Sequence, residues 1–260
     1  MAQRRMYVVA LAAAASVAVS AYAADFTADQ VRQLVASANT GAPASFARKD
    51  LSDLDLSNID FRGADLSGAN LFASRLVSSS FAGAKLSGAN LNGAWLMGTR
   101  FAGADLSGST MLGLVVLGGP VKERPNFAGA NMSGVRMIAD LPATDLHGAN
   151  LSRARLGVDM RNQGMGQMRT DLSNANLAGA DLHDADLSRS LMPFADLRDA
   201  NLRGANLFGV RLSGANLAGA DVADADFTEA DLDGTVFTGT RGLAAARGLD
   251  KALNRDRAVY

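Results

Sequence analysis

Large apolar side chains recur at every fifth residue over two long stretches of the chain. Leu51, Leu56, Phe61, Leu66, Leu71, Leu76, Phe81, Leu86, Leu91, Leu96, Phe101, Leu106, Met111 and Val116 form one unbroken series, and a second runs from Leu172 to Phe237. Two residues before most of them stands a small side chain, as at Ala64, Ala69, Ser74, Ala84, Ala175, Ala180 and Ala195. Neither regular element accommodates a period of five. On an α-helix five residues advance by about 140°, so the leucines would spiral around the whole surface. On a straight strand an odd period sends alternate leucines to opposite faces.

The small and the large residue are two apart, so a short extended piece points both the same way. A corner must then intervene before the next small residue if the next Leu is also to point inward. Glycines two places after the leucines, among them Gly68, Gly88, Gly103 and Gly204, suit such a corner because glycine tolerates positive φ. Strand and corner in alternation make a coil. Phe61, Phe81 and Phe101 open the near-identical stretches FRGADLSG, FAGAKLSG and FAGADLSG, and they recur at four five-residue units. The coil is therefore four-sided, with these rings in one column spaced by about 4.8 Å. Each inward Leu or Phe contributes roughly 1.5–3 kcal/mol by burial, and the narrow core explains why the alternate inward residue is small.

The recurring ADLSG, ANLNG, ANLAG, ADLHD and ANLRG resemble the A-(D/N)-L-x-x unit of the pentapeptide repeat family. The resemblance covers about Leu51 to Phe237. It implies an all-β fold, a right-handed quadrilateral β-helix with inward Ala and Leu, and it is far more specific for fold than for function.

Residues 1–23 read as a secretory signal peptide, with Arg4 and Arg5 before an apolar stretch from Met6 to Val19 and Ala21-Tyr22-Ala23 as a small-x-small cleavage site. The apolar stretch is short for a membrane span, which needs about 20 residues. Whether the signal is of the Sec or the twin-arginine type stays open. Loss of the two arginines takes the net charge from −1 to −3, and a periplasmic or secreted protein is expected. The absence of Cys removes disulfides, thiolate zinc sites and cysteine nucleophiles.

Open ends of a stacked sheet need covers. Residues 24–45 predict a capping helix and linker, with Thr27 as N-cap, Gln30 three places on, and Val31, Leu34 and Val35 laid over the first coil. Residues 46–240 form the β-helix, and 241–260 predict a short C-terminal helix over the last coil. In related proteins such helices often mediate dimerisation, which allows a homodimer through this segment.

Two stretches break the rhythm. Phe127 follows Phe101 by six residues too many, which places an insertion at 118–126. A coil one residue short follows, and with Leu146 and then Leu172 taken as the next members of the phenylalanine column, 157–170 carries a second insertion of six. Equal insertions late in their coils should bulge from the same or adjacent edges, two coils apart, on a rod of about nine coils.

No catalytic constellation stands out, and no cofactor or metal site is expected. His147 and His183 each follow an inward Leu and should face solvent, and no Gly-rich phosphate loop, HExxH or Cys/His cluster is present. The sequence therefore favours an exported, non-catalytic scaffold binding a protein or polymer, with no small-molecule substrate and no direct nucleic-acid contact. Its best interaction residues are Lys122, Glu123, Arg124, Arg161 and Arg169, in the two insertions. A second reading draws on the family resemblance, which includes acidic DNA-like rods that bind type II topoisomerases as gyrase inhibitors or protectors. Residues 171–235 hold twelve acidic and four basic side chains, but that reading needs a cytoplasmic protein. A third is Cu(I) binding by Met160, Met165 and Met168, since thioethers suit soft cations.

Overall fold

The computed structural model describes residues 24–38, 43–116, 122–158 and 169–260. The expected signal peptide lies outside the described residues, as do Arg161 and the three methionines. The repeats wind into a right-handed quadrilateral β-helix. Each side contributes a bridged residue that pairs in parallel with the residue one coil above, so the sheet is four stacks of short bridges. The longest pairing joins β1 (Thr110–Leu112) to β2 (Arg136–Ile138), in register from Thr110↔Arg136 to Leu112↔Ile138.

Four faces follow from this pairing. Face I carries Asp60, Ser80, Arg100, Asn126, Asp145, Asn176 and so on to Val259; face II runs from Ser45 and Asp65 to Arg241. Face III runs from Asp50 and Asn70 to Arg247, and face IV carries Asp55, Arg75, Trp95 and Val115, then Asp140, Asp171, Leu191, Arg211, Asp231 and Leu253. Below the last coil the residue after each bridge points inward, and the leucine series is buried throughout. The phenylalanine column is present: Phe61–Phe81, Phe81–Phe101 and Phe101–Phe127 lie near-parallel at 4.7, 5.1 and 5.1 Å between centroids.

Corners take left-handed backbone whatever residue occupies them. Gly68 has φ 64° and Gly204 φ 66°, and Ala73, Ser78, Arg189 and Phe194 adopt φ of 53°, 58°, 59° and 58° at equivalent positions.

The insertions differ from the sequence expectation. Asn131 pairs with Asp105 across 26 residues, so the first insertion does add six to a 20-residue coil. The next coil is 19 residues long. Asp145, however, pairs with Asn176, a separation of 31, so the second insertion adds eleven rather than six. Leu177, not Leu172, lies above Leu146; Leu172 belongs above Leu141, one side earlier. The periodicity alone could not distinguish these, because Leu172 and Leu177 satisfy the same local pattern.

Both ends are covered, by different means. At the N-terminal end α1 (Ala28–Ala38) begins with the expected reciprocal cap: Thr27 N–H donates to Gln30 Oε1 at 2.7 Å, and Gln30 N–H to Thr27 Oγ1 at 3.2 Å. Val31 and Val35 are buried on the first coil, whereas Leu34 is 44% exposed and belongs to the outer side of the helix. Arg32 of α1 donates to the carbonyls of Ser57 and Asp55, which fastens the helix to the edge below. The C-terminal segment is helical only in two single 3₁₀ turns, Leu249–Lys251 and Arg255–Arg257. It forms one more coil whose sides are six residues long, with Arg241, Arg247, Leu253 and Val259 bridging to Asp221, Asp226, Asp231 and Val236. Leu243, Ala246, Leu249 and Ala252 pack over the core beneath, and Tyr260 stacks on Phe237 at 5.5 Å.

Candidate functional site

The outer surface is built from the residue before each inward Leu. When it is Asp or Asn, apart from Asp140 with Pro142 two places on, its side-chain oxygen accepts the N–H two residues on, closing an Asx turn that orders the corner. Ser52 N–H donates to Asp50 at 2.9 Å, Ser67 N–H to Asp65 at 3.0 Å, and the same bond recurs at Asp186, Asp196 and Asp226. Asparagines also bond the coil below: Asn70 Nδ2 donates to Asp50 at 3.0 Å and Asn90 Nδ2 to Asn70 at 3.0 Å. These bonds favour the ionised carboxylates. Asp50 and Asp65 are held below the ordinary carboxylate range by Ser52 and Ser67, through hydroxyl first and N–H second. Asp60 and Asp196 are lowered by the guanidiniums of Arg62 and Arg198. The acidity of residues 171–235 therefore serves corner geometry first.

His147 and His183 face outward, each paired through Nδ1 with the Asp two residues earlier at 2.8 and 2.9 Å. Among the described residues no three His, Cys, Asp or Glu side chains converge as a metal site, and no helix is long and apolar enough to cross a membrane.

The described insertion residues do not gather into one cluster. Lys122 and Glu123 are exposed and Arg124 is half-buried where the chain passes from face IV to face I. Glu123 rejoins the coil by accepting the Gly98 N–H at 2.7 Å. Arg169 is half-buried where face III passes to face IV, two coils higher. The two insertions thus leave from adjacent edges, and those edges bound one side of the rod, face IV.

That face differs in composition from its neighbours. The bridged outward residues of faces II and III are all polar or charged, and face I becomes apolar only at Val236 and Val259. Face IV presents Trp95, Val115, Leu191 and Leu253. Its corners add Phe72, 48% exposed, and Phe194, 66% exposed. Arg75 lies 4.8 Å over the Trp95 ring, and Arg189 lies 5.3 Å over Phe208. Sequence reading passed over this face because its members are scattered along the chain at coil spacing.

A four-sided parallel coil with Ala and Leu inside and Asx-ordered corners outside defines a class of repeat rod. The chain belongs to the pentapeptide repeat family, whose model matches in eight copies over 44–71, 74–111, 168–204 and 205–241. Among solved structures it is similar to HetL, a pentapeptide repeat protein involved in heterocyst differentiation regulation from the cyanobacterium Nostoc sp. strain PCC 7120. The identity is 26%, covering 90% of this chain and 94% of that one, with a TM-score of 0.44. It is also similar to trypsin-treated QnrB1, a plasmid-mediated fluoroquinolone resistance protein, at 17% identity over 70% of this chain and 81% of that one, with a TM-score of 0.40. A pentapeptide repeat protein of the Arabidopsis thaliana thylakoid lumen is 26% identical over 48% of this chain and 74% of its own, at a TM-score of 0.26. Comparison with curated proteins gives no match.

Proposed function

We propose that the protein is an exported, non-catalytic scaffold that binds a protein or polymer partner outside the cytoplasm. The signal-like pattern of residues 1–23 motivates export. The observation that carries the binding role is the placement of both insertions on the two edges of face IV, the side whose outward residues depart most from Asp and Asn. Regular repeat rods offer long surfaces suited to macromolecules, and arginine and aromatic side chains are the types enriched where proteins meet. Lys122, Glu123, Arg124, Arg161 and Arg169 supply the polar groups of the flanking insertions. Affinity capture from the native periplasm, with the intact protein and with either insertion shortened to a regular corner, tests the reading. Loss of captured partner with an unchanged β-rich circular dichroism spectrum supports it; capture that survives both deletions removes the insertions from the site.

A second contact is favoured by the C-terminal coil, which leaves Leu253, Val259 and Tyr260 more than half exposed at the end of the rod. Pairing of two copies through this segment would cover them. Sedimentation of the protein and of a Val259→Lys variant distinguishes a dimer from a monomer.

A further inference from the structure

Within face IV, above the second insertion, one patch combines the exposed Phe194 and the half-buried Leu191 and Phe208 with two guanidiniums that form no direct ion pair among the described residues. Leu191 stands on the face and Arg211 lies directly above it in the bridge stack. Arg189, two residues before Leu191, occupies the corner toward face III and stacks over Phe208 of the next coil. Phe194, three residues after Leu191, occupies the corner toward face I. Its ring covers Gly214, where an added Cβ would stand 2.6 Å from two ring carbons.

Two features set this patch apart. Phe194 holds φ 58° at a corner that glycine fills without strain, and it is the one aromatic residue with positive φ among the described residues. A bulky side chain in left-handed backbone costs free energy, and such outliers concentrate at functional sites. The second feature is charge. Arg198, Arg203 and Arg257 on the upper coils each pair with an Asp at 2.6–3.7 Å, whereas neither Arg189 nor Arg211 forms an ion pair among the described residues. The nearest carboxylates in the stack take their hydrogen bonds from other groups: Asp171, below Leu191, accepts from Ser173, and Asp231, above Arg211, accepts from Ser213 and Asn254 and meets Arg211 only through longer-range attraction.

We infer that Leu191, Phe194, Phe208, Arg189 and Arg211 form a docking surface for an acidic protein segment that presents a large apolar side chain between its carboxylates. The inference rests on the binding-scaffold reading and assigns the chemistry of the partner. The two guanidiniums take the carboxylates, and Leu191 with the Phe194 and Phe208 rings takes the apolar side chain.

The test is fluorescence anisotropy of the purified protein with labelled peptides alternating Glu and Leu, Lys and Leu, or Glu and Ser, and with a single-stranded oligonucleotide. Saturable binding of the Glu/Leu peptide alone is expected. Arg211→Glu should weaken it about tenfold or more, since a reversed charge both removes an attraction and adds a repulsion, and Arg211→Lys should retain most of it. Phe194→Gly, which relieves the corner, should raise the thermal midpoint yet lose binding. Absence of saturable Glu/Leu binding, indifference to Arg211→Glu in a folded variant, or preference for the oligonucleotide each overturns the assignment. Shortening the insertions should leave peptide binding intact, so failure of the patch and failure of the insertions are separately visible.

Discussion

The Phe81 and Phe101 rings lie 5.1 Å apart with their planes within 12° of parallel, one coil above the other. Coil spacing, rather than ring preference, dictates this arrangement, because isolated aromatic pairs favour offset or edge-to-face contacts. The column continues upward as Leu146 and Leu177, so the cavity accepts an aliphatic side chain. Phe101→Leu should therefore cost only about 1–1.5 kcal/mol, while Phe101→Ala, which leaves a void between stacked rings, should cost about 3–5 kcal/mol. Denaturant unfolding of both variants checks the difference.

The corners offer a gain instead of a loss. Ala73 holds φ 53°, with Gly93 occupying the corresponding corner one coil above. Left-handed backbone costs an L-residue roughly 1–2 kcal/mol, offset in part by the greater unfolded-state entropy of glycine. Ala73→Gly should stabilise the rod by about 0.5–1 kcal/mol, read as a higher denaturation midpoint with unchanged slope.

The inward small position is polar at several coils; the Ser109 and Thr144 hydroxyls there find no partner, whereas others reach a carbonyl one coil below. Thr99 is fully buried, and its hydroxyl donates to the Leu76 carbonyl at 2.9 Å, as Ser79 does to Leu56 and Thr235 to Leu212. The Leu76 carbonyl also accepts the Ser79 N–H, so removal of the hydroxyl leaves no orphaned acceptor. Thr99→Val should cost about 1 kcal/mol, the net worth of one hydrogen bond, and Thr99→Leu more because the slot is narrow. Calorimetry on the pair separates the polar from the steric contribution.

The period of five, the four-fold recurrence and the inward pairing of Ala with Leu were all legible in the residues, because the constraint is local and repeated at every corner. The reciprocal cap of Thr27 and Gln30 was legible for the same reason. Three things were not. The register across the second insertion depended on pairings 31 residues apart, which no local pattern encodes. Leu34 follows the helical spacing of Val31 and Val35, but the docking angle of α1 turns it outward. The face IV patch joins Leu191 to Arg211 and Arg189 to Phe208 only once coils are stacked; along the chain these residues look like isolated lapses in the repeat.

Acid should loosen the rod through its corner carboxylates. Asp50, Asp60, Asp65, Asp196 and Asp226 are all held below the ordinary carboxylate range in the folded state, because bonds at the corner favour the ionised form. A depressed folded value contributes stability that is fully present above the unfolded pKa and is lost as pH falls through the folded one. The thermal midpoint should accordingly be flat from neutral pH to about 5 and fall below about pH 4. Asn in place of Asp60 and Asp196 keeps the Asx turn but removes the titrating group, so the double variant should show a shallower acid limb.

The last coil depends on two glycines in a way the regular coils do not. Gly242 and Gly248 have φ 79° and 70°, and an added Cβ would stand 2.5 Å from the Ala223 nitrogen and 2.2 Å from Thr228 Oγ1 respectively. They follow the bridged Arg241 and Arg247, where other coils place an inward Leu, and the immediate turn lets Leu243 and Leu249 fold over the core beneath. Regular corner glycines such as Gly103 have open space at the Cβ position. Gly103→Ala should therefore cost only the strain of left-handed backbone, about 1–2 kcal/mol. Gly248→Ala meets the backbone of residue 228 as well and should release the final coil from the stack. Hydrogen exchange would show the difference: in Gly248→Ala the amides of Phe227, Leu232 and Phe237, which donate to Arg247, Leu253 and Val259, lose protection while those of the lower coils keep it. Uniform protection loss along the rod would mean that the end coil is not an independent unit.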